Sequence, residues 1–179
     1  MEIVTSIEGC VLRPWCAEDR LSLVKHANNR RVWRNLTDTF PSPYTLADAD
    51  AWIGLASARS TSLHLAVVLN GEAIGGFGVI VGTGNDCYTG KFGYWLGEMH
   101  WEKGIATSAA RAMVHHVLSE TDLVRLEAPV FAWNPASGRV LVKVGFVLEG
   151  IHRRKIFKDG EITDTIMYAL VRERGNESP

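Results

Sequence analysis

Between Arg125 and Ala132 every second residue is apolar (Leu126, Ala128, Val130, Ala132), the two-residue period of a strand with one buried face. Leu63–Leu69 is a short, nearly continuous apolar run, followed by Asn70-Gly71 and a second run from Ala73 to Val81, which predicts a hairpin with a two-residue turn. Lys91 to Gly97 reads as a strand with Phe92, Tyr94 and Leu96 on one face and Trp95 on the other. Glu8 to Trp15 predicts a first strand closed by Arg13-Pro14, and Ile151–Lys158 and Glu161–Val171 two last strands joined by Asp159-Gly160. The period changes to that of a helix at Ala17–Asn28, with Leu21, Leu23, Val24 and Ala27 inward. A short helix follows at Arg30–Leu36. Another spans Leu46 to Ala58, with Thr45 as cap and Asp48 in the capping-box position. Gly104–Leu118 carries Ala106, Ala110, Met113, Val114 and Val117 on one side, and Asn134–Val144 is a helix stopped by Gly145. Thr37–Thr45 and Gly82–Gly90 are connections. The order predicts an α/β (α+β) chain with a mixed, mostly antiparallel sheet of six to seven strands, crossing over at the helix from Gly104.

Length and charge narrow the class. The 179 residues suit one domain, 1–179 with its core at about 8–172, and 46% apolar with 22% charged residues excludes a disordered chain. Nineteen basic against twenty acidic residues give a net charge of −1, which argues against a nucleic-acid binder. The basic runs Lys25–Arg34 and His152–Lys158 read as solvated faces of packed elements. Cys10, Cys16 and Cys87 form no C-x-x-C pair, so neither a disulfide framework nor a metal site is expected. No apolar run reaches membrane-spanning length, and no signal peptide is expected at the start. A cytoplasmic, reduced protein follows, in which the sequons at Asn35 and Asn176 are chance matches.

Two constellations carry chemistry. In the first, the strand Gly93-Tyr94-Trp95-Leu96 leads through His100-Trp101-Glu102-Lys103 into a helix that starts at Gly104. The first N–H groups of a helix have no internal acceptor and carry the positive dipole end, so they receive phosphate. Gly104 admits close approach, and Ala106 is small. The segment is neither a P-loop nor a dinucleotide fingerprint. In the second, Asn134 precedes Pro135 as an N-cap, Ser137 lies in the first turn, and the helix runs to Gly145-Phe146. Glu98 is a nearby carboxylate, whereas His100, His115 and His116 lack any ligand spacing and read as surface or packing residues.

Together these segments resemble the GNAT superfamily of acyl-CoA-dependent N-acetyltransferases, and in particular the branch of bacterial ribosomal-protein N-terminal (Rim-type) acetyltransferases. The likeness runs from Val11-Leu12-Arg13-Pro14-Trp15 to Met167-Tyr168-Ala169-Leu170 and is carried by Gly93–Leu96, Trp101–Thr107, Asn134 with Ser137, and Lys143–Gly150. Trp101 stands where the superfamily has Gln or Arg. The resemblance implies helices on both faces of the sheet and a splay between the fourth and fifth predicted strands, with acetyl-CoA lying there. Pro129 fits this, because proline belongs where a strand lacks a neighbour. It implies coenzyme contacts from Trp95, Leu96, Gly97, Trp101, Glu102, Lys103, Gly104, Ile105, Ala106, Thr107, Asn134, Ser137 and Lys143, with the backbone N–H of Leu96 or Gly97 polarising the acetyl carbonyl. Ser137 is the implied general acid, since no tyrosine lies between Ser137 and Gly145. Asn134 orients the pantetheine or a water, and Glu98 is the carboxylate nearest to a base, as Gly90 occupies the position where some members carry glutamate. The acceptor amine, of a protein N-terminus or a small molecule, would be bordered by Trp33, Arg34, Asn35, Phe40, Tyr44 and Phe157. The expected protein is a monomer or homodimer without nucleic acid, membrane or metal. The alternative is a non-catalytic acyl-CoA sensor.

Overall fold

A computed structural model describes residues 1–58 and 61–172. The sequon at Asn176 therefore lies outside the described residues. The strands are β1 (Ile3–Val4), β2 (Cys10–Pro14), β3 (Leu63–Leu69), β4 (Glu72–Val81), β5 (Thr89–Leu96), β6 (Arg125–Phe131), β7 (Val147–Lys158) and β8 (Glu161–Val171). The helices are α1 (Arg20–Ala27), α2 (Arg30–Trp33), α3 (Leu46–Ser57), α4 (Ile105–Glu120) and α5 (Pro135–Val144). One sheet has the order β1-β2-β3-β4-β5-β6-β8-β7.

Local chemistry builds most of these elements. Asn70 and Gly71 take φ of 50° and 85°, and Asp159 and Gly160 take 56° and 79°, so each two-residue turn matches the twist of its hairpin. Thr45 and Asp48 form the reciprocal cap of α3. Gly145, with φ of 111°, ends α5.

Among the described residues the strand count is eight rather than six to seven. The addition, β1, pairs through Ile3 and Val4 with Leu12 and Val11, and Ser6 ties it to α4 by hydrogen bonds of 2.9 and 2.7 Å to the Ser108 hydroxyl. A two-residue strand is too short to show a period. The first helix also differs. It opens as a 3-10 turn over Ala17–Asp19, which shifts the phase of α1. Leu21, expected inward, is 69% exposed, and His26 is buried beside Leu23 and Ala27 instead. β7 begins four residues before its expected start, at Val147.

Helices cover both faces. Between the sheet and α4 and α5 lie Phe77, Phe92, Leu96, Met113, Leu126, Leu141 and Phe146; on the other face Trp15, Leu23, Tyr44, Ile53 and Ala66 pack under α1 and α3. All pairings are antiparallel except β5 with β6. That parallel ladder joins only Thr89–Lys91 to Arg125–Glu127. Beyond it β5 stays with β4 as far as Leu96, and β6 stays with β8 as far as Phe131, so the sheet splays between them. Pro129 lies two residues past the last β5–β6 pair, where β6 faces no strand on that side. At the closed end Gly90 is fixed by packing, since a Cβ there would lie 2.7 Å from Val79 Cγ1 and 2.9 Å from Leu126 Cδ2.

Candidate active site

The open end of the splay is built from the end of β5. The Gly97 N–H donates to the Ile74 carbonyl at 2.8 Å, which makes that pair a hydrogen-bonded one. Bonded and non-bonded pairs alternate along an antiparallel ladder. Leu96, opposite Gly75, therefore turns its N–H and C=O away from β4 and toward the gap. On that side the Trp101 indole N–H donates to the Leu96 carbonyl at 2.8 Å. Of the two expected amides, Leu96 keeps a donor facing the gap, whereas that of Gly97 is committed to β4. The glycine at 97 has a separate reason: a Cβ would lie 2.5 Å from His26 Nδ1.

The chain next bends through Glu102 and Gly104, with φ of 60° and 76°, into α4. The first helical bond runs from Ser108 N–H to the Gly104 carbonyl at 3.0 Å, and no side chain caps this end. The N–H groups of Ile105, Ala106 and Thr107 have no acceptor within the helix. No atom lies within 4 Å of where a Gly104 Cβ would stand, so the approach is open. Open amides, a positive dipole end and an adjoining gap between strands fit an elongated, phosphate-bearing ligand such as a coenzyme A ester. Ile105 is buried and offers backbone only, while Glu102 and Lys103 are exposed. Trp95 sends its ring to the opposite face, 5.6 Å from Phe40. Lys143 is exposed in the last turn of α5, where its carbonyl accepts from Arg111 at 3.1 Å.

Across the gap stands the start of α5. The Asn134 side chain accepts from the Ser137 N–H at 3.3 Å and so caps the helix. The Ser137 hydroxyl lies 2.8 Å from the hydroxyl of Tyr94, which also donates to the Ser137 carbonyl at 3.1 Å. Tyr94 is stacked on Phe77, and burial pushes its phenol up to about 12, against the lowering effect of the Ser137 bond. Tyr168 approaches the same turn from β8: a Cβ on Gly138 would lie 2.5 Å from its hydroxyl. Sequence reasoning missed Tyr94 as a functional residue because it sought a tyrosine within α5. The available signal was a strand tyrosine on the same face as Leu96, whose buried hydroxyl needs a partner.

Glu98 has both carboxylate oxygens engaged, one by the Asn29 amide at 2.8 Å and the other by the Arg31 guanidinium. It fastens α2 to the end of β5, and Arg31 also covers the Trp101 ring at 5.4 Å. The remaining expected residues divide. Arg34 lies 4.7 Å above the Trp133 ring and donates to Glu161 at 2.9 Å. Trp33 carries the Lys158 ammonium 3.6 Å over its ring, and Lys158 is paired with Asp38 at 2.7 Å. The two basic runs are thus not simply solvated; several of their charges clamp α2 and its loop to the β7–β8 turn. Asn35 donates back to the Arg31 carbonyl. Phe157, 68% exposed, lines a cleft of about 300 Å³ with Leu36, Asp38, Phe131, Lys155 and Lys158. Tyr44 departs from expectation. It is 5% exposed in the core under α1 and α3, and its ring supports Phe40 at 4.9 Å, so it builds the wall from behind. Burial, then the Asp48 charge, pushes its phenol up to about 12.

His115 is exposed and His116 half-buried, apart from these groups. Among the described residues no group of three or more His, Cys, Asp or Glu is arranged to hold a metal ion, and no helix is long and apolar enough to cross a membrane.

Residues 10–147 match the family described as Acetyltransferase (GNAT) domain. Over 84 residues the chain is 36% identical to YoaA of Bacillus subtilis, an uncharacterized N-acetyltransferase, the aligned part being 47% of this chain and 48% of that one. Over 83 residues it is 34% identical to a ribosomal-protein-serine acetyltransferase of Escherichia coli, 46% of each chain. The chain spans about half the length of the curated relatives it matches. Among solved structures, RimL, a ribosomal-protein alpha-N acetyltransferase in complex with coenzyme A, superimposes with a TM-score of 0.84 at 20% identity over 96% of this chain and 98% of that one. RimJ of Mycobacterium smegmatis, in complex with a CoA disulfide, gives 0.83 at 24% identity over 99% and 89%. At these identities the likeness is one of fold.

Proposed function

The chain belongs to the GNAT acetyltransferase family, and from that premise we propose that it transfers an acetyl group from acetyl-CoA to a primary amine, of a protein N-terminus or a small molecule, in a cytoplasmic setting. The observation that carries this reading is the Tyr94–Ser137 hydroxyl pair, which spans the gap between β5 and α5 on the strand that also turns the Leu96 N–H into it.

The open amides of Ile105, Ala106 and Thr107 would hold the pyrophosphate, and the flanks of the gap the pantetheine. Bound acetyl-CoA supplies an activated thioester. The Leu96 N–H donates to the acyl oxygen as negative charge develops there, a fixed dipole that needs no reorganisation. The Tyr94 phenol, kept protonated by burial, donates through or beside Ser137 Oγ to the departing sulfur and is reprotonated by the water that takes up the amine proton. Asn134 holds the turn that presents Ser137. Glu98, bound on both oxygens, serves as a positioning residue, and the amine proton passes to water. In RimL, whose fold this chain shares, the acceptor is a ribosomal protein, which supports an α-amine at a peptide terminus as the first acceptor to test here.

A thiol-release assay with acetyl-CoA and a panel of peptides and small amines tests the proposal. Acceptor-dependent release of CoA supports it. Binding of acetyl-CoA without release for any acceptor would favour the sensor.

A further inference from the structure

The end of β5 has a strand on one side only. The last β5–β6 pair joins Lys91 to Glu127, so no strand meets the Leu96 carbonyl where it faces the gap. Leu96 is buried, and a buried backbone carbonyl needs a donor. The donor is the indole N–H of Trp101, at 2.8 Å. The chain between the two folds back through a 3-10 turn at Glu98–His100. That turn is closed by the His100 N–H on the Gly97 carbonyl at 2.9 Å and the Trp101 N–H on the Glu98 carbonyl at 3.1 Å. A side chain thus stands in for the missing strand.

The peptide after Leu96 is therefore tied on both sides. Its C=O accepts from Trp101, and its N–H, that of Gly97, donates to the Ile74 carbonyl at 2.8 Å. Ile74 is the residue that β4 bulges out, since Val67 pairs with Gly75 and Val68 with Ala73. On the other side of Leu96, Trp95 faces Gly76 in a bonded pair of the ladder. The Leu96 N–H lies between two held peptides, so its direction is set. The Trp101 ring is itself held. It packs against the core under α4, and the Arg31 guanidinium lies 5.4 Å over it. Arg31 is in turn paired with Glu98, which takes the Asn29 amide at 2.8 Å.

We propose that Trp101 is a positioning residue for acyl transfer: its indole N–H, by holding the Leu96 carbonyl, aims the Leu96 N–H at the acyl oxygen. The inference rests on the acetyl-transfer reading and adds to it a role separate from contact with the coenzyme. A fixed donor stabilises developing charge without reorganising, whereas a donor free to turn loses part of that effect. Trp101 also stands just before Gly104, so the same side chain sets the spacing between the Leu96 donor and the helix amides. One coenzyme ester must reach both.

The test is difference infrared spectroscopy of acetyl-CoA carrying carbon-13 at the acyl carbonyl, bound to the full chain. A hydrogen bond to the acyl oxygen lowers its C=O stretch from the value in free acetyl-CoA. The wild type is expected to show this downshift. Trp101→Phe keeps a ring beneath Arg31 and removes the N–H, so the downshift should shrink. With any accepted amine, its kcat should fall about tenfold, a fraction of the roughly 10²–10³-fold that loss of such a donor costs, with the KM for acetyl-CoA within about twofold. Arg31→Gln, at an exposed position, loosens the ring without touching the indole, and should act in the same direction with a smaller effect. A role confined to packing would lower the melting temperature and leave the stretch of the folded variant where it was. An unchanged downshift in folded Trp101→Phe, or in Arg31→Gln if the first variant does not fold, overturns the inference. So does a KM for acetyl-CoA that rises while kcat holds. Each of these leaves acetyl transfer standing. A wild type that binds acetyl-CoA without a downshift and acetylates no amine overturns both.

Discussion

The Tyr94 hydroxyl lies 2.8 Å from the Ser137 hydroxyl, joining β5 to the first turn of α5 where the sheet has lost its ladder. Either hydroxyl can donate to the other, so the pair can relay a proton to a departing thiolate. Tyr94→Phe and Ser137→Ala are each expected to lower kcat by about 10²-fold, the usual scale of acid–base assistance, with little change in acetyl-CoA affinity. The double variant should lose little more than either single one, because the two act as a unit. Steady-state kinetics on the three variants checks this.

The same burial makes an alkaline prediction. The folded-state phenols of Tyr94 and Tyr44 are both pushed up to about 12 from an ordinary value of 10.0. A raised value favours the protonated form in the folded chain, so the stability it contributes is complete below pH 10 and is lost as the pH rises toward about 12. Alkaline unfolding followed by circular dichroism should begin above pH 10, and kcat should show no limb from Tyr94 below that. A phenolate signal at pH 9 in the folded protein that is lost in Tyr94→Phe would contradict the assignment.

Gly104 separates ligand approach from backbone strain. Its φ of 76° penalises any β-branched residue, so valine would strain the turn as well as obstruct it. Asparagine tolerates this conformation better. Gly104→Asn should fold with a melting temperature near that of the wild type, yet weaken acetyl-CoA binding by about tenfold or more, because a side chain occupies the approach to the helix amides. Calorimetric titration with acetyl-CoA reads this directly.

Tyr44 and Arg34 should behave differently although both border the acceptor side. Tyr44 is buried in the core, so Tyr44→Ala should cost roughly 3 kcal/mol or more and lower the melting temperature, with both KM values unchanged in the folded fraction. Arg34→Ala should change stability less and raise only the acceptor KM. Thermal melts beside two-substrate kinetics distinguish the two.

Asp19 ties the first turn to β2. It is 4% exposed and receives two bonds from the Arg13 guanidinium, at 2.7 and 2.8 Å, and one from the Cys16 N–H at 3.0 Å. Burial acts to raise its carboxyl, but the Arg13 and Cys16 bonds outweigh burial and hold it below 3.8. A depressed value contributes stability above pH 3.8 that is lost as the pH falls. Asp19→Asn should destabilise by about 3 kcal/mol, since it leaves Arg13 without its charge partner, and should flatten the acid limb of a stability–pH profile.

The parts of this architecture that were legible in the sequence are those fixed by local chemistry. Asn70-Gly71, Asp159-Gly160, the Thr45–Asp48 box and Gly145 each specify a turn, cap or stop within four residues, and the structure has all of them. The alternation in β5 and β6 placed Leu96 and Trp95 on opposite faces, as observed. What was not legible depends on partners distant in the chain. Leu21 and His26 exchanged roles because a 3-10 turn, held by Arg13 and Asp19, reset the helical phase. Tyr94 meets Ser137 across 43 residues, and Arg34 meets the hairpin turn across 127. Gly97 lost its expected role to a bond with Ile74 that only the ladder register reveals.

The central claim is tested most directly by mass spectrometry of an acceptor incubated with acetyl-CoA and either the wild type or the Tyr94→Phe/Ser137→Ala variant. The account predicts that the wild type adds one acetyl group to an amine and releases CoA in equal amount. The variant should bind acetyl-CoA with near wild-type affinity but turn over about 10²-fold more slowly. A wild type that binds acetyl-CoA and acetylates nothing, or a folded double variant as fast as the wild type, would contradict it.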